Sequence, residues 1–467
     1  MTTPRFAVVG HPNKGKSSIV STLAQDDSIY IDRVSGSTRF SHSYPMTVNG
    51  EVLYVLIDTP GFQRARAALE WLQQHSSNAS QRAEAVRAFC AQHQGQESFV
   101  NECELLQPIV DGAGIIYVVD GSRPYGPEYE AEMEILRWTG RPSLALINPI
   151  DSNDYVVEWE HALGQYFKTV RVFDAHRAEF IKRTALLSVF GQMLPEWETA
   201  LTRAVSCLVA ERERQHRQAS ELIATMMVTI LQHREIQNIG LGLTGDGIKE
   251  AMAEKFQLSL RQTEKRCREK IEENYAYHQL HRDEVLLELI DKDLFDEESW
   301  YLFGLSKTQL IAISAGAGMG AGALIDAGLG GHSLFLGSLI GGLSGGIGAW
   351  TFSSQIAEFT VKGLPTGGQT IFYGPVAHPN FPFVVLGRAL HHLRLICTRT
   401  HANRERLDLG TNAPLDDLST REKTKLVGIF KDIRENSKTL SQRQALADMI
   451  YQQLRAIDQL DQQIPAG

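Results

Sequence analysis

Cysteine is scarce in this chain, and none is arranged as a metal-binding or redox motif. Only five occur among 467 residues, and no two of them show the C-x-x-C spacing. Secreted disulfide scaffolds and zinc ribbons need paired, closely spaced cysteines. The sequence therefore predicts reduced, mostly buried thiols and no cysteine metal site, as is typical of a cytoplasmic protein.

A leader segment and a strong charge bias are lacking as well. The N-terminus runs directly into the apolar run 6–9, which leaves no room for a signal peptide. A formal net charge of −9 disfavours a protein that coats nucleic acid, although it is compatible with a local basic patch. Hydrophobic residues make up 43% of the chain, so its length predicts two or three ordinary globular domains.

What the N-terminus does contain is a phosphate-binding loop. Residues 10–17 read Gly-His-Pro-Asn-Lys-Gly-Lys-Ser and fit the pattern G-x-x-x-x-G-K-[ST]. A strand-like run precedes the loop and a helix-like run follows it, so backbone N–H groups and a helix N-terminus converge on one spot. We expect Lys16 to reach the β- and γ-phosphates and the Ser17 hydroxyl to hold Mg²⁺. The predicted nucleotide-binding residues of this loop are Gly10, Asn13, Lys14, Gly15, Lys16, Ser17 and Ser18.

Later strand-like runs also end in polar motifs. The run 51–57 leads into Asp58-Thr-Pro-Gly61, where Asp58 is expected to hold Mg²⁺ through water and the Gly61 N–H to meet the γ-phosphate. Thr38, about twenty residues past the loop, is expected to close over Mg²⁺ and the γ-phosphate; a plain surface loop is the alternative. Strands that alternate with helices predict a mostly parallel sheet with its ligand at the carboxyl ends of the strands.

These motifs resemble the Era/TrmE-like branch of the translation-factor-related GTPases, over about residues 4–180. The resemblance implies an α/β P-loop GTPase domain with helices on both faces, with GTP or GDP and Mg²⁺ as ligands. Asn148 and Asp151 occupy the base-recognition motif, whose aspartate accepts hydrogen bonds from guanine N1–H and the N2 amino group. Ala175 matches the alanine whose N–H meets guanine O6. Pro149 replaces the usual lysine, so weak affinity is expected.

Two further residues bear on hydrolysis. Phe62 stands where many GTPases have the glutamine that orients the attacking water, so slow intrinsic hydrolysis is expected unless a group such as Gln63 substitutes. Asn13 matches the asparagine that ligates K⁺ in the resembled branch, where the ion neutralises phosphate charge. The alternative is that Asn13 merely suits the turn. The predicted catalytic set is Lys16, Thr38, Gly61 and Asn13, with Ser17, Thr38 and Asp58 holding Mg²⁺.

The segment after Gly61 is longer than a minimal GTPase domain needs. Residues 65–94 have helical composition with a break near 75–78, and residues 97–110 predict a second helix. Two interpretations stay open, a segment that reports the nucleotide state to a partner and a solvated insertion. The GTPase domain is predicted to span residues 1–190.

Residues 191–467 are predicted to form a mainly α-helical domain, which resembles an uncharacterised domain attached to some bacterial GTPases. Strand-like signals nearly vanish there. The predicted long helices are 197–237, 249–282 and 420–463, and the strand-like or irregular pieces are 369–373 and 382–386. The basic, histidine-bearing stretch 391–406 is interpreted as a solvated helix face, with anionic lipid or RNA phosphate as the sharper alternative.

The segment 310–352 is unusual because it contains thirteen of the 39 glycines, many of them four residues apart. Glycine at that spacing allows close helix packing but costs about 1 kcal/mol per site in an exposed helix. A glycine-zipper hairpin packed within the soluble domain, a hairpin that enters or lies on a membrane, and a flexible linker are the three interpretations. The first two are favoured, because leucine and isoleucine are too frequent for a solvated linker.

Together these features predict a bacterial GTP-binding protein with Mg²⁺-dependent GTPase activity that acts as a molecular switch. Its helical domain is the expected effector, and the protein is expected in the cytoplasm or peripheral to the inner membrane. A nucleotide-gated membrane or assembly scaffold with little turnover is one alternative, and Era-like RNA or ribosome maturation is another. The expected partners are a membrane surface or membrane protein through 310–352 and a second GTPase domain in a homodimer, with RNA less favoured.

Overall fold

The computed structural model contains two β-sheets among the residues that it describes. These are residues 3–24, 40–176, 178, 180–239, 246–275, 293–306, 309–310, 313, 357–363, 369–398 and 415–460. Thr38 and the basic residues 399–406 lie outside the described residues, and so does the predicted hairpin 310–352 apart from Leu310 and Ile313.

The first sheet has six strands and is mostly parallel. Its strands are β1 (Arg5–Val9), β2 (His42–Val48), β3 (Glu51–Asp58), β4 (Gly114–Asp120), β5 (Ser143–Asn148) and β6 (Val170–Val172). They lie in the order β2-β3-β1-β4-β5-β6, and only β2 pairs antiparallel to its neighbour. All seven residues of β4 are buried, as expected for a central parallel strand covered on both faces. The predicted parallel sheet is confirmed, whereas β2 is an edge strand that the sequence did not indicate.

Helices cover both faces of this sheet. They are α1 (Lys16–Ala24), α2 (Ala65–Gln74), α3 (Arg82–His93), α4 (Val100–Val110), α5 (Glu128–Trp138), α6 (Val156–Leu163) and α7 (Phe180–Met193), with a short 3-10 turn at Ala79–Gln81. One face packs against α2 to α6 and the other against α1 and α7. The α/β fold with helices on both faces is therefore confirmed, including the break between the first two helices after Gly61.

The rest of the described chain is mostly helical, as predicted. Its helices are α8 (Pro195–Gln232), α9 (Asp246–Asn274), α10 (Glu297–Phe303), α11 (Phe381–Thr398), α12 (Thr420–Arg434) and α13 (Thr439–Leu460). A small antiparallel sheet accompanies them, with strands β7 (Glu235–Ile239), β8 (Ala357–Gly363) and β9 (Gln369–Val376) in the order β7-β9-β8. The strand-like signal at 369–373 corresponds to β9.

Helix α8 belongs to both hydrophobic cores. Its 38 residues begin with proline at the first helical position, where the missing N–H costs nothing. Trp197 and Leu201 pack with the six-stranded sheet, whereas Ile223 and Met227 are fully buried in the core of the helical part. The predicted boundary at 190/191 thus falls just before a helix that physically joins the two parts.

Three expectations for the second part are corrected. The helix predicted over 197–237 ends at Gln232, and β7 follows because it pairs with β9. The helix predicted over 420–463 is two helices, separated where Asn436 and Lys438 adopt left-handed backbone angles of 54° and 51°. Residues 382–386 lie in the first turns of α11, where a proline at the second position is compatible with a helix start.

The interpretation of the basic stretch as a solvated helix face is wrong for its described part. His392 is only 3% exposed, and its Nε2 atom lies 2.9 Å from a carboxylate oxygen of Glu272 on α9. This face of α11 therefore packs against α9 and not against water. Among the described helices, none combines the length and the apolar character that crossing a membrane requires.

Candidate nucleotide-binding site

The loop between β1 and α1 has the backbone shape of a phosphate cradle. Gly15 has a φ of +81°, and a Cβ atom added there would collide with the Asn148 side-chain amide. Asn13 has a φ of 59°, a left-handed conformation that asparagine tolerates better than most residues. The turn alone therefore gives a reason for asparagine at this position, independent of any ion. Ser18 follows in α1 and is buried.

The predicted phosphate and magnesium ligands meet at the end of β3. The Ser17 hydroxyl donates a hydrogen bond to Asp58 Oδ2 at 2.7 Å, and Lys16 Nζ donates one to the His11 carbonyl at 3.0 Å. Lys16 is only 7% exposed, and this burial lowers the pKa of its ammonium while Asp58 opposes the shift. A hydroxyl and a carboxylate oxygen side by side are the hard donors that Mg²⁺ prefers, so these residues fit that ion.

The segment after Asp58 lies directly against the phosphate loop. A Cβ atom on Gly61 would come within 2.5 Å of the Pro12 nitrogen, so only glycine permits this approach. The Phe62 N–H donates to the Gly10 carbonyl at 3.3 Å. The Phe62 ring is only 1% exposed and packs in the core beneath the sheet. This aromatic side chain is a core residue and cannot orient water.

Asn148 connects the phosphate loop with the loop after β6. Its Nδ2 donates to the Lys14 carbonyl at 3.4 Å, and its Oδ1 accepts the Ala175 N–H at 3.1 Å. Asn148 and Ala175 are both buried. Asp151 lies three residues further on and is exposed, with one carboxylate oxygen 3.8 Å from an Arg123 nitrogen. The structure thus brings Asn148 and Ala175 into contact, while the Asp151 carboxylate faces solvent.

The Lys14 side chain turns toward the end of β4. Its Nζ atom lies 3.8 Å from Asp120 Oδ2, and the side chain is only 12% exposed. Burial lowers the pKa of Lys14, and the Asp120 carboxylate opposes this shift. Asp120 pairs in register with Asn148 on the neighbouring strand. The Lys14 ammonium therefore lies beside the end of β4, the strand that pairs with the β5 strand preceding Pro149.

A buried carboxylate beneath the loop was not predicted from the sequence. Glu132 on α5 is 1% exposed and bonds to His11 Nδ1 at 2.8 Å, while the Tyr117 hydroxyl donates to its other oxygen at 2.9 Å. The sequence of α5 does indicate that this carboxylate is buried, because Glu132 lies among apolar neighbours at helical spacing. Its role is to anchor the phosphate loop to α5 and β4.

A second unpredicted carboxylate, Glu102 on α4, lies against the segment after Gly61. It is 1% exposed, and one oxygen accepts the Gln63 N–H at 2.8 Å and the Arg64 N–H at 2.6 Å. The sequence of α4 gives little signal for it, because the helix also carries the polar residues Asn101, Glu104 and Gln107. Its partners lie 38 and 39 residues away, beyond the reach of local pattern.

Two family models match the chain. One is described as "50S ribosome-binding GTPase" and matches residues 5–148, and the other as "Domain of unknown function (DUF3482)" and matches residues 160–460. The first covers the phosphate loop, Asp58 and Asn148. The second covers almost the whole helical part and begins before α7.

Curated relatives match only short stretches of the chain. GTPase Der of Mycoplasma pneumoniae is 45% identical over 60 residues, which is 13% of either protein. GTPase Der of Desulfitobacterium hafniense is 38% identical over 81 residues, which is 17% of this chain and 18% of that protein. The chain thus aligns with less than a fifth of the length of these relatives.

Solved structures of Era are also similar in part. A structure of Aquifex aeolicus Era bound to GDP and AlF4⁻ matches with a TM-score of 0.29 and 14% identity, over 58% of this chain and 89% of that one. A structure of Era with MgGDPNP and a piece of 16S ribosomal RNA gives the same TM-score and identity, over 59% of this chain and 90% of that one.

Proposed function

The chain belongs to the family described as "Domain of unknown function (DUF3482)" and carries an Era-like, GTP-binding GTPase domain before it, and from this premise we propose a GTP-driven switch. The observation that supports it best is the contact between Ser17 and Asp58, the two predicted Mg²⁺ ligands, at the mouth of the phosphate loop. In this proposal the helical domain is the effector, and α8 carries the signal to it.

The site residues have distinct proposed roles. Lys16 neutralises the β- and γ-phosphates, and the Gly61 N–H meets the γ-phosphate. Ser17 and Asp58, with Thr38, hold Mg²⁺, which supplies further charge neutralisation on the phosphates when it is bound. Asn148 fixes the loop that reads the base, and Asp151 accepts hydrogen bonds from the guanine edge.

Hydrolysis is proposed to be slow without help. The Phe62 ring is part of the core, so no glutamine stands at that position to orient water. A monovalent ion at Asn13 is the proposed aid, and faster turnover in K⁺ than in Na⁺ is the expected sign of it. Equal rates in the two salts would contradict the role of Asn13 and leave only its role in the turn.

One experiment tests the switch and its output together. GTP turnover of the wild type and of Lys16→Ala is measured in Mg²⁺, with liposomes of anionic lipid, with RNA, and with neither. We expect slow turnover by the wild type and none by the variant. Stimulation by liposomes would assign the output to a membrane surface, and stimulation by RNA to ribosome or RNA maturation. A wild type that neither binds nor hydrolyses GTP would contradict the proposal.

A further inference from the structure

Helix α4 is hydrogen-bonded to two separate chain segments, one just before β2 and one just after Gly61. Its residue Glu104 accepts the Ser41 N–H at 3.3 Å on a side-chain oxygen and the Ser41 hydroxyl at 2.7 Å on its carbonyl. Ser41 lies directly before β2. Two residues earlier on the same helix, Glu102 binds the chain just after Gly61. The two chain segments that flank the site are therefore bonded to one helix.

The carboxylate of Glu102 is well suited to hold its segment in place. It accepts two N–H groups at the residues immediately before α2, where a helix N-terminus leaves donors without intrahelical partners. The partial positive charge of a helix N-terminus favours an anion there, and hydrogen bonds to a charged acceptor are stronger than neutral ones. The burial of Glu102 excludes competing water.

The other end of this segment is tied to the phosphate loop. Phe62 donates to Gly10, and Gly61 lies against Pro12. Only a few residues thus separate two fixed points, the loop on one side and α4 on the other. A shift of Glu102 would be felt at the Gly61 N–H, since only Phe62 lies between Gly61 and the bonded Gln63 N–H and few backbone dihedrals are available to absorb the shift.

We propose that Glu102 is a positioning residue that aims the Gly61 N–H at the γ-phosphate and so couples the helices α2 to α4 to the difference between GTP and GDP. This inference rests on the proposed function, because it assigns a regulatory role to one residue beside that site. The proposed contact of the Gly61 N–H distinguishes the two nucleotides, since only GTP has a γ-phosphate.

The test compares affinities for a non-hydrolysable GTP analogue and for GDP in the full-length protein. For Glu102→Ala we expect the GTP analogue to bind about tenfold more weakly, with GDP affinity changed less than about twofold, because buried N–H groups lose their acceptor. Glu102→Gln keeps an acceptor oxygen and should give an intermediate loss. Glu84→Ala removes an exposed carboxylate of the same insertion and should match the wild type.

The outcomes separate this inference from the function on which it rests. If the wild type binds both nucleotides and the two Glu102 variants lose affinity for both equally, or for neither, the positioning role is overturned while the GTPase assignment stands. A wild type that binds neither nucleotide would overturn both. If Glu102→Ala does not fold, Glu102→Gln decides, because a purely structural role would lower its melting temperature without changing the preference for GTP.

Discussion

Buried charges are arranged differently in the two parts of the molecule. In the GTPase domain, Asp58 and Asp120 are buried at the carboxyl ends of β3 and β4, and Lys16 is buried at the start of α1, in the phosphate loop. In the helical domain, buried charges join helix to helix, as Arg388 on α11 does with Glu264 on α9 at 2.7 Å. The first arrangement suits the binding of a charged ligand, whereas in the second the charged side chains pair with one another.

Two buried charged groups among the described residues of the helical domain, Arg388 and His216, are hydrogen-bonded to protein groups. Arg388 also donates to the Ser299 hydroxyl at 3.1 Å, and His216 on α8 lies between the Tyr275 hydroxyl and an Asp458 oxygen, at 2.7 Å from each. Such contacts fix which helix faces meet, although a buried ion pair contributes little net stability compared with apolar packing. The buried charges at the strand ends and phosphate loop of the GTPase domain thus point to function, whereas these contacts of the helical domain point to packing specificity.

The largest expected effect is the loss of nucleotide binding in Lys16→Ala. Removal of the ammonium should lower GTP affinity at least about a hundredfold, because the phosphate charge loses its nearest cation. The melting temperature of the nucleotide-free protein should stay the same or rise, since the buried lysine is costly to desolvate. Calorimetry and thermal melting check this, with the exposed Lys168→Ala as control. A fall in both GTP affinity and melting temperature would show that Lys16 has a structural role.

Arg388→Ala should show the opposite behaviour. It leaves Glu264 buried without its partner, and such a break destabilises a protein by about 3–5 kcal/mol. Nucleotide affinity should not change, because the pair lies in the core of the helical domain. Urea unfolding measures the stability. The double variant Arg388→Met with Glu264→Leu is the control and should recover much of the loss. An equal loss of stability in both variants would show that the unpaired Glu264 charge is not its cause.

Asp151→Asn should change the choice of base without affecting the fold. The amide cannot accept hydrogen bonds from both guanine N1–H and the N2 amino group, so GTP affinity should fall by about tenfold or more. Xanthosine triphosphate, which has a carbonyl in place of the amino group, should then bind better than GTP. Competition binding measures the ratio. Retained preference for GTP would remove Asp151 from base recognition.

The smallest expected effect is an acid sensitivity of the helical domain. Burial, with the nearby Arg434 charge, lowers the pKa of His378 from 6.5 to about 4. The unfolded chain therefore binds a proton at higher pH than the folded one does, and stability should fall as the pH drops from 6.5 towards 4. His378 Nδ1 accepts the Asn380 N–H at 3.1 Å, which protonation would prevent.

Urea unfolding at several pH values checks this dependence. His378→Gln has no group that titrates in this window, so its stability should fall less between pH 6.5 and 4 than that of the wild type. An identical fall in the stability of the two proteins would show that a group other than His378 causes the acid sensitivity.

The sequence predicts the GTPase fold well because its signals are local. The strand, turn and helix around residues 10–17 follow one another directly, and the apolar runs that became β3, β4 and β5 each end in the polar residue of a motif. Helices on both faces follow from the alternation of strands and helices. Edge strand β2 was missed because four of its seven residues are exposed and no motif follows it.

Contacts that join distant segments could not be predicted in the same way. Strand β7 follows α8 after two residues and exists because it pairs with β9, more than 130 residues later. The break between α12 and α13 falls at Asn436 and Lys438, without the glycine or proline that usually announces one. The hydrogen-bond partners of Glu102 and Glu132 likewise depend on the fold, since each carboxylate binds a segment that is remote in the chain.

The packing of α8 into both hydrophobic cores has a consequence for how the protein unfolds. The helix is about 57 Å long, and it packs Trp197 on the Phe6 ring at 5.1 Å while its far half completes the other core. Melting either core would pull apart a helix that the other core stabilises, so the domains should lose structure in one cooperative transition. A fragment that ends at residue 190 would lack this helix and expose the apolar face that Trp197 and Leu201 cover.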